Sequence, residues 1–500
     1  MKKILKTISL VLVFILMFTA TVPAFAVGTN AGEYPEIYVH GFATGDIYTE
    51  KDGVVEKLGI PDTDSLLGMV KETLVPAVLT FAADSDAKKL GSSISGVINT
   101  AFADWFNNPD GSPANNSTAG FVYPSATSIR NTERIRFHYD WRGNPIDVAK
   151  DLSDYIDYVL ECTGKDKVAL TAHSLGNVIV LTYLSLYGYD KVMGVVFDTP
   201  AINGLTSVGE IFSGKMNFSG DSVDALFKMI IGETEYNELL TSIVDIFAMA
   251  GINDSISELL NSAYEELGVV LMEETLFPLF GSWLSVWAMI PDEFIYEAMD
   301  YSFDSGVYPE NYDALKANVQ EYNEKVRVKK NQTLLDFDKV GRVAVISRYG
   351  YSAMPMTEEH AVITDSLIET RSNSLGATTA PVGDYFSDEY LEGKDMKYIS
   401  PDKTIDASTC LFPDKTWFIK NLNHHEPYLT KNYYKQLLFG AEEATCENSS
   451  LARFLVYDAE TETLSEDKSE PVRVEKPTVL QRIFNFVKAL INKLLELFKK

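Results

Sequence analysis

The sequence has few cysteines and fewer basic than acidic residues. Its three cysteines, Cys162, Cys410 and Cys446, lie far apart in 500 residues. That sparse, odd set forms neither a disulfide scaffold nor a zinc site, so at most one disulfide is expected. The 71 acidic residues outnumber the 43 lysines and arginines, giving a formal net charge of -28. Because so acidic a surface repels phosphate backbones, no nucleic-acid partner is expected.

After the first 26 residues, no apolar run is long and uncharged enough to suggest a membrane span. Residues 1–26 combine a lysine-rich start, an apolar centre and Ala24-Phe25-Ala26, which together predict a secretory signal peptide cleaved after Ala26. No cysteine lies at the cleavage point, so a lipid-modified N-terminus is not predicted. The mature chain is therefore expected to be secreted, with a charge near -31 after the loss of three lysines.

The segment 475–500 is basic, in contrast to the rest of the chain. Polar residues recur in it every three or four positions and leave a wide face of leucine, isoleucine, valine and phenylalanine. This spacing predicts a basic amphipathic helix. The helix has two candidate locations: docked on the protein's own body, or lying on a membrane or outer cell-envelope surface. The acidic stretch 456–474 is predicted to be a linker, which favours separation of this tail from the body.

In the body, residues 27–455, short apolar strands alternate with helices. Strands are predicted at 36–42, 133–142, 167–174, 192–201 and 340–350, and helices at 146–160 and 175–187. This alternation predicts an α/β fold, in which a mostly parallel sheet is covered by helices on both faces.

Two segments interrupt the alternation, at about 62–125 and 207–331. Both have helix-like patterns, and the second contains the apolar stretch LFPLFGSWLSVWAMIPDEF at 276–294. A helical cap inserted between strands would have this composition, and so would a second layer of the core.

The most informative motif is KVALTAHSLGNVIVLTYL, residues 167–184, where Ser174 lies between a predicted buried strand and a helix. Ala172 and Gly176 are small enough to let strand and helix approach closely on either side of Ser174, in a sharp turn that exposes the serine hydroxyl. The helix that begins at Leu175 directs its first N–H groups towards that hydroxyl. The pattern by itself is common, but its position between strand and helix makes Ser174 a candidate nucleophile.

A nucleophilic serine needs a histidine to accept its proton and a carboxylate to orient that histidine. His424 and His425 follow the apolar strand TWFIK and are the best-placed of the six histidines; His424 is preferred because it comes first. Asp365 is the preferred carboxylate because it gives the chain order Ser, Asp, His, and Asp198, directly after a strand, is the alternative. The backbone N–H groups of Phe42 and Leu175 are the expected donors to the oxyanion.

Several segments together resemble the lecithin:cholesterol acyltransferase-like branch of the α/β hydrolases. They are VHGF, FHYDWRGNP, AHSLGN, FDTPAINGLTSVGEIFSG, FGSWLSVWAMIPDEF, TDSLIETRS and TWFIKNLNH, spread over about residues 34–430. The resemblance implies an α/β-hydrolase fold with a cap, a triad of Ser174, Asp365 and His424, and an oxyanion hole at Phe42 and Leu175. It also implies glycerolipid acyl esters as substrates. Two departures are Ala172 in place of the usual first glycine of the turn and Ser366 where a glycine commonly follows the acid.

These expectations together describe a secreted serine hydrolase of lipid esters, of the lipase, phospholipase or acyltransferase type, in which Trp283 and Trp287 line the acyl pocket. No cofactor is expected, and no ligand spacing indicates a metal site. Two alternatives remain: a secreted amidase or peptidase with the same triad, and a non-catalytic cell-surface binding protein built on a hydrolase scaffold.

Overall fold

The computed structural model describes residues 34–58 and 87–473, with gaps, together with the single residues 73, 76 and 488. The gaps are 52–53, 115–116, 121, 216, 218, most of 225–268, 271, 305–311, 353–361, 427–430 and 441. The predicted signal peptide, much of the first insertion and nearly all of the tail at 475–500 therefore lie outside the described residues.

Eight strands form one central sheet. They are β1 Glu36–Val39, β2 Arg134–Phe137, β3 Val168–His173, β4 Val192–Asp198, β5 Arg342–Tyr349, β6 Thr416–Lys420, β7 Phe454–Asp458 and β8 Thr463–Glu466. Their order across the sheet is β8-β7-β6-β5-β4-β3-β1-β2. Every neighbouring pair is parallel except β7 and β8, which are antiparallel. The predicted α/β class with a mostly parallel sheet is confirmed.

Both faces of the sheet are buried, as strand periodicity shows. Val343 and Val345 of β5 belong to one apolar cluster. Ala344 and Ile346, the residues that alternate with them, belong to a second cluster. Since neighbouring side chains of a strand point to opposite faces, the sheet separates two cores.

The described α-helices surround this sheet. They are α1 Ala87–Ala101, α2 Ala126–Asn131, α3 Pro145–Thr163, α4 Leu175–Tyr187, α5 Thr206–Phe212, α6 Leu284–Ala288, α7 Ile295–Met299, α8 Asp313–Lys325, α9 Lys330–Phe337, α10 Thr370–Asn373, α11 Asp388–Leu391 and α12 Lys431–Phe439. Met272–Gly281 and Asp300–Asp304 are π-helical. Two-residue ladders join Tyr351–Ser352 to Ile363–Thr364 and Thr378–Thr379 to Ile405–Asp406, and Tyr48–Lys51 pairs with Val54–Lys57. In the part of the chain that is described, no helix is long and apolar enough to cross a bilayer.

The end of the body differs from the prediction. Residues 456–474 were expected to be a linker, but β7 and β8 extend the sheet to residue 466, and β7 pairs with β6 from Phe418 opposite Phe454. Phe454, Leu455 and Tyr457 are buried, whereas Asp458 and the residues that follow it in the turn are exposed. The average acidity of this stretch conceals the apolar residues of β7, so the linker prediction is wrong over 456–466 and the body does not end at 455.

The second insertion connects β4 to β5, and its described regular elements are helices, as predicted. Ile290 and Ile295 are buried in the same apolar cluster as Val39 of β1 and Leu170 of β3. The insertion therefore shares one apolar core with the central sheet.

Candidate active site

The predicted site residues meet at one edge of the sheet. The strands β1, β3, β5 and β6 are parallel, so their carboxyl ends lie side by side. Phe42 follows β1, Ser174 follows β3, Asp365 follows β5 and His424 follows β6. In sheets of this type, ligands bind outside the carboxyl ends of the strands.

Ser174 occupies a strained turn between β3 and α4. Its backbone angles are φ 54° and ψ -122°, in a region that costs a non-glycine residue about 1–3 kcal/mol. A Cβ on Gly176 would lie 2.3 Å from the carbonyl oxygen of Val39 and 2.7 Å from that of His40. The start of α4 therefore presses against the end of β1, and a glycine at 176 is required for this contact, as the motif predicted.

The hydroxyl of Ser174 lies next to His424, and His424 lies next to Asp365. The distance from Ser174 Oγ to His424 Nε2 is 3.1 Å, and that from His424 Nδ1 to Asp365 Oδ2 is 2.7 Å. All three residues are buried. With Asp365 ionised, Nδ1 carries the proton and donates it to the carboxylate, which leaves Nε2 to accept the serine proton. The arrangement is that of a Ser–His–Asp triad.

The neighbouring His425 does not take this position. Its side chain is exposed, and its ring packs edge-on against that of His424 with centroids 5.2 Å apart. Of the two candidate histidines, the structure brings His424 to Ser174.

Three further contacts hold the Asp365 carboxylate, and a fourth holds its main chain. Oδ1 accepts from the N–H groups of Leu367 at 3.0 Å and Ile368 at 2.7 Å, and Oδ2 also accepts from the hydroxyl of Thr199. The carbonyl oxygen of Asp365 accepts from the backbone N–H of His424. Burial alone would raise the pKa of Asp365, but the adjacent imidazole and these hydrogen bonds lower it below its usual value. The carboxylate is therefore kept in the charged form that orients His424.

Asp198, the alternative acid, has other partners. Its carboxylate contacts His173 Nδ1 at 3.1 Å and both Nε and Nη2 of Arg348, at 3.0 and 2.6 Å. Burial lowers the pKa of His173 to about 4, although the hydrogen bond and charge of Asp198 oppose this shift. The ring of His173 lies beside the site, with its centroid 4.9 Å from that of His424.

Sequence reasoning missed Arg348 and Thr199. The available signal for Arg348 was a charged residue within the apolar strand VAVISRY. Thr199 directly follows Asp198 at the end of β4, has φ 42°, and donates its hydroxyl hydrogen to Asp365. No feature of the sequence distinguishes Thr199 from the other threonines.

Both segments that carry the expected oxyanion donors adjoin Ser174. Leu175 is the first residue of α4, where N–H groups have no carbonyl partner within the helix. A Cβ on Gly41 would lie 2.9 Å from the Cβ of Ser174, so the main chain passes directly beside the serine just before Phe42. The loop that contains Gly41 and Phe42 is held in place by Tyr139, whose hydroxyl donates to the carbonyl oxygen of His40 at 2.6 Å.

The two predicted pocket tryptophans have different surroundings. Trp283 packs against Phe42, with ring centroids 5.9 Å apart, and against Trp141 at 5.2 Å. Trp287 packs against Phe212 and Phe303 of the insertion at 5.2 and 4.9 Å. Both side chains are buried, so a role for either in binding substrate stays a prediction.

The three cysteines are free thiols. Among the residues that the structure describes, no group of three or more His, Cys, Asp or Glu side chains is arranged to hold a metal ion.

Sequence comparison identifies the fold. Residues 103–217, which include Ser174, match the family model described as "alpha/beta hydrolase fold". The chain has the α/β-hydrolase fold. This match supports a hydrolase in general and does not identify the lecithin:cholesterol acyltransferase-like branch. No curated protein matches this chain significantly.

Two solved structures show distant similarity to this chain. One is the crystal structure of the Tle4–Tli4 complex, with 11% identity and a TM-score of 0.25, covering 64% of this chain and 75% of that one. The other is a rice cell wall degrading esterase, LipA from Xanthomonas oryzae, with 10% identity and a TM-score of 0.18, covering 63% and 84%. Because these values are so low, the activity of this chain has to be argued from its own residues.

Proposed function

We propose that the chain is a secreted serine ester hydrolase that acts on lipid acyl esters, as its resemblance to the lecithin:cholesterol acyltransferase-like hydrolases implies. The observation that carries the proposal is the 3.1 Å contact between Ser174 Oγ and His424 Nε2, with Asp365 2.7 Å behind the imidazole. These are the distances at which a base takes a proton from a nucleophile and an acid holds the base in the required tautomer.

In the first half of the reaction, Nε2 of His424 takes the proton of the Ser174 hydroxyl while the serine oxygen attacks the ester carbonyl. The carbonyl oxygen becomes an oxyanion, stabilised by the N–H groups of Phe42 and Leu175. Loss of one such donor typically lowers kcat by about 10²- to 10³-fold. The imidazolium then protonates the departing alcohol, which leaves an acyl group on Ser174.

In the second half, water attacks the acyl-enzyme with His424 again acting as base, and the free acid is released. An alcohol in place of water would yield a new ester, so hydrolysis and acyl transfer share every residue of the site. Hydrolysis is the expected outcome for an enzyme secreted into water.

The preference for lipid is supported by the surroundings of Phe42. Trp283 of the second insertion, Trp141 and Phe42 form one aromatic cluster, and Phe280 packs against Trp283 with centroids 4.9 Å apart. An apolar helical insertion beside the oxyanion loop suits an acyl chain better than a charged peptide.

A fluorophosphonate probe tests the proposal. We expect the wild-type protein to be labelled and Ser174→Ala to remain unlabelled, with both folded to the same thermal midpoint. Absence of labelling in the wild type would instead favour the non-catalytic scaffold.

Substrate class is tested with p-nitrophenyl esters of several acyl lengths beside the matching anilides. We expect esters to be cleaved and longer chains to be preferred; faster cleavage of anilides would identify an amidase or peptidase. A panel of glycerolipids analysed by mass spectrometry, on wild type and Ser174→Ala in parallel, then identifies the head group.

The basic tail extends the proposal to location: we expect residues 475–500 to hold the secreted enzyme on an anionic lipid surface. Co-sedimentation with anionic vesicles, at low and high salt, compares the full chain with a chain that ends at residue 474. Equal binding by both chains would reject anchoring by the tail.

A further inference from the structure

Arg348 lies at the end of β5 in direct contact with Asp198 at the end of β4. Its Nε is 3.0 Å from Asp198 Oδ1 and its Nη2 is 2.6 Å from Oδ2, and both side chains are about 1% exposed. The forked guanidinium thus engages both oxygens of one carboxylate. Burying such a pair costs desolvation energy that its attraction barely offsets, so stability alone does not account for it.

The remaining nitrogen of Arg348 binds the loop that carries His424. Nη1 donates to the carbonyl oxygen of Asn423 at 3.0 Å, with longer contacts to those of Glu426 at 3.3 Å and His424 at 3.4 Å. One planar group therefore binds a carboxylate on one side and the backbone of the base loop on the other. A lysine ammonium lacks the fixed fork that this double contact uses.

Asp198 in turn binds the nucleophile turn. Its backbone carbonyl accepts from the N–H of Ser174 at 3.1 Å and from Nδ2 of Asn177 at 2.9 Å. Its side chain holds His173, the residue before the nucleophile, at 3.1 Å. A fixed Asp198 therefore fixes the position of Ser174.

A third contact reaches the segment that carries Asp365. The carbonyl oxygen of Arg348 accepts from Nδ2 of Asn373 at 3.0 Å, and the same amide reaches the carbonyl oxygen of Ile368 at 3.4 Å. Ile368 is also a backbone donor to the Asp365 carboxylate. The nucleophile, base and acid segments thus all contact Arg348 or its partner Asp198.

We propose that Arg348 is a positioning residue which, together with Asp198, holds His424 at hydrogen-bonding distance from Ser174 and Asp365. The inference rests on the proposed serine-hydrolase function and adds to it the group that sets the geometry of its proton transfer. The pKa of Asp198 agrees with this role: burial would raise it, but Arg348 and His173 lower it well below its usual value, which keeps the pair charged.

The test is Arg348→Lys, which keeps the positive charge near Asp198 but removes the fork. We expect kcat for an ester substrate and the rate of fluorophosphonate labelling of Ser174 both to fall about 10- to 100-fold, because a misplacement of about 1 Å has that effect. KM should change less than about twofold, since Arg348 contacts no part of the expected substrate site.

The matched control is Arg453→Lys. Arg453 is also buried and also binds a backbone carbonyl, that of Pro413, and a carboxylate, that of Asp414. It directly precedes β7, at the edge of the sheet opposite to Ser174. We expect its replacement to lower the thermal midpoint without the loss of labelling rate.

Equal kcat and labelling rates in Arg348→Lys and Arg453→Lys would overturn the positioning role while the wild-type labelling still supported the hydrolase. If Arg348→Lys does not fold, the double variant Asp198→Asn, Arg348→Met removes both buried charges together. It should fold and show the same loss of kcat, and wild-type rates in it would equally overturn the proposal. Absence of labelling in the wild type would instead reject the proposed function itself.

Discussion

The backbone N–H of His424 donates to the carbonyl oxygen of Asp365 at 2.7 Å, in addition to the 2.7 Å hydrogen bond between their side chains. The base and the acid are thus joined twice, once through the main chain and once through the imidazole. The two loops that carry them follow different strands, β5 and β6, and the main-chain bond fixes their separation independently of protonation. Replacing the side chain of His424 or of Asp365 should therefore leave both loops in place and remove only the proton transfer or the orienting charge that the side chain provides.

The first prediction separates His424 from His425. Changing His424 to Gln should lower kcat by about 10⁴- to 10⁶-fold, because the nucleophile loses its base. Changing His425 to Gln should lower kcat less than about threefold, because its exposed ring makes no contact with Ser174. Initial rates on a p-nitrophenyl ester measure both, and a larger loss in the His425 variant would contradict the assignment.

The second prediction concerns Thr199, whose hydroxyl donates to Asp365. Thr199→Val should lower kcat about 10- to 100-fold, the value of a hydrogen bond to a buried charge, while Thr199→Ser keeps the donor and most of the activity. Because the Thr199 bond lowers the pKa of Asp365, its loss should raise that pKa. As the pH is lowered, kcat of the Val variant should therefore begin to fall at a higher pH than kcat of the Ser variant. Overlapping pH profiles of the two variants would count against this role.

The sequence predicted the fold well where the periodicity of a single element decides it. The helix from Leu175 to Tyr187 has the predicted bounds, and the predicted strands overlap the observed ones, because buried parallel strands are continuous apolar runs. The turn at Ser174 was readable for the same reason, since small residues on both sides of a serine are a local signal.

Contacts between segments that are distant in the sequence could not be predicted in this way. Asp198 is 150 residues from Arg348, and nothing in either local pattern indicates that the two meet. The predicted linker at 456–474 includes the last three residues of the strand Phe454–Asp458, because five residues are too few to stand out from an acidic background. Whether such a strand forms depends on its pairing with the neighbouring β6, and the composition of the segment carries no information about that pairing.

The third prediction follows from the backbone at Ser366. Its φ of 86° lies in the left-handed region that favours glycine, where a side chain is strained. Ser366→Gly should raise the free energy of unfolding by about 0.5–1 kcal/mol, the relief of strain less the added flexibility of the unfolded chain. Chemical denaturation measures this difference, and a destabilised variant would show that the serine hydroxyl matters more than the strain.

The fourth prediction compares two glycines. Gly176→Ala should lower kcat about 10²-fold and also the thermal midpoint, because the new Cβ would meet the backbone of Val39 and His40. Gly96 lies in α1, and a Cβ there meets nothing within 4 Å. Gly96→Ala should therefore stabilise the protein by about 0.5–1 kcal/mol with unchanged activity. Similar effects of the two changes in thermal melting and ester assays would contradict the tight contact.

The fifth prediction is the pH dependence of stability. Burial lowers the pKa of His138 and His173 to about 4, whereas an unfolded histidine titrates near about 6.5. The folded state therefore favours the neutral rings, so their contribution to stability is complete above about pH 6.5 and is lost as the pH falls towards about 4. The melting temperature should decline across that window, and less steeply in His138→Gln. An unchanged slope in the variant would show that His138 is not among the groups responsible.

The position of β7 and β8 also decides where the chain can be shortened. A chain shortened to end at residue 455, as composition suggests, would lose β8 and most of β7, including Val456, the partner of Lys420 in β6. Unpaired strand edges of this kind pair with other copies of the chain and promote aggregation. A recombinant chain for crystallisation should therefore keep every residue up to about 473, where Arg473 still pairs with Asp384 at 2.7 Å.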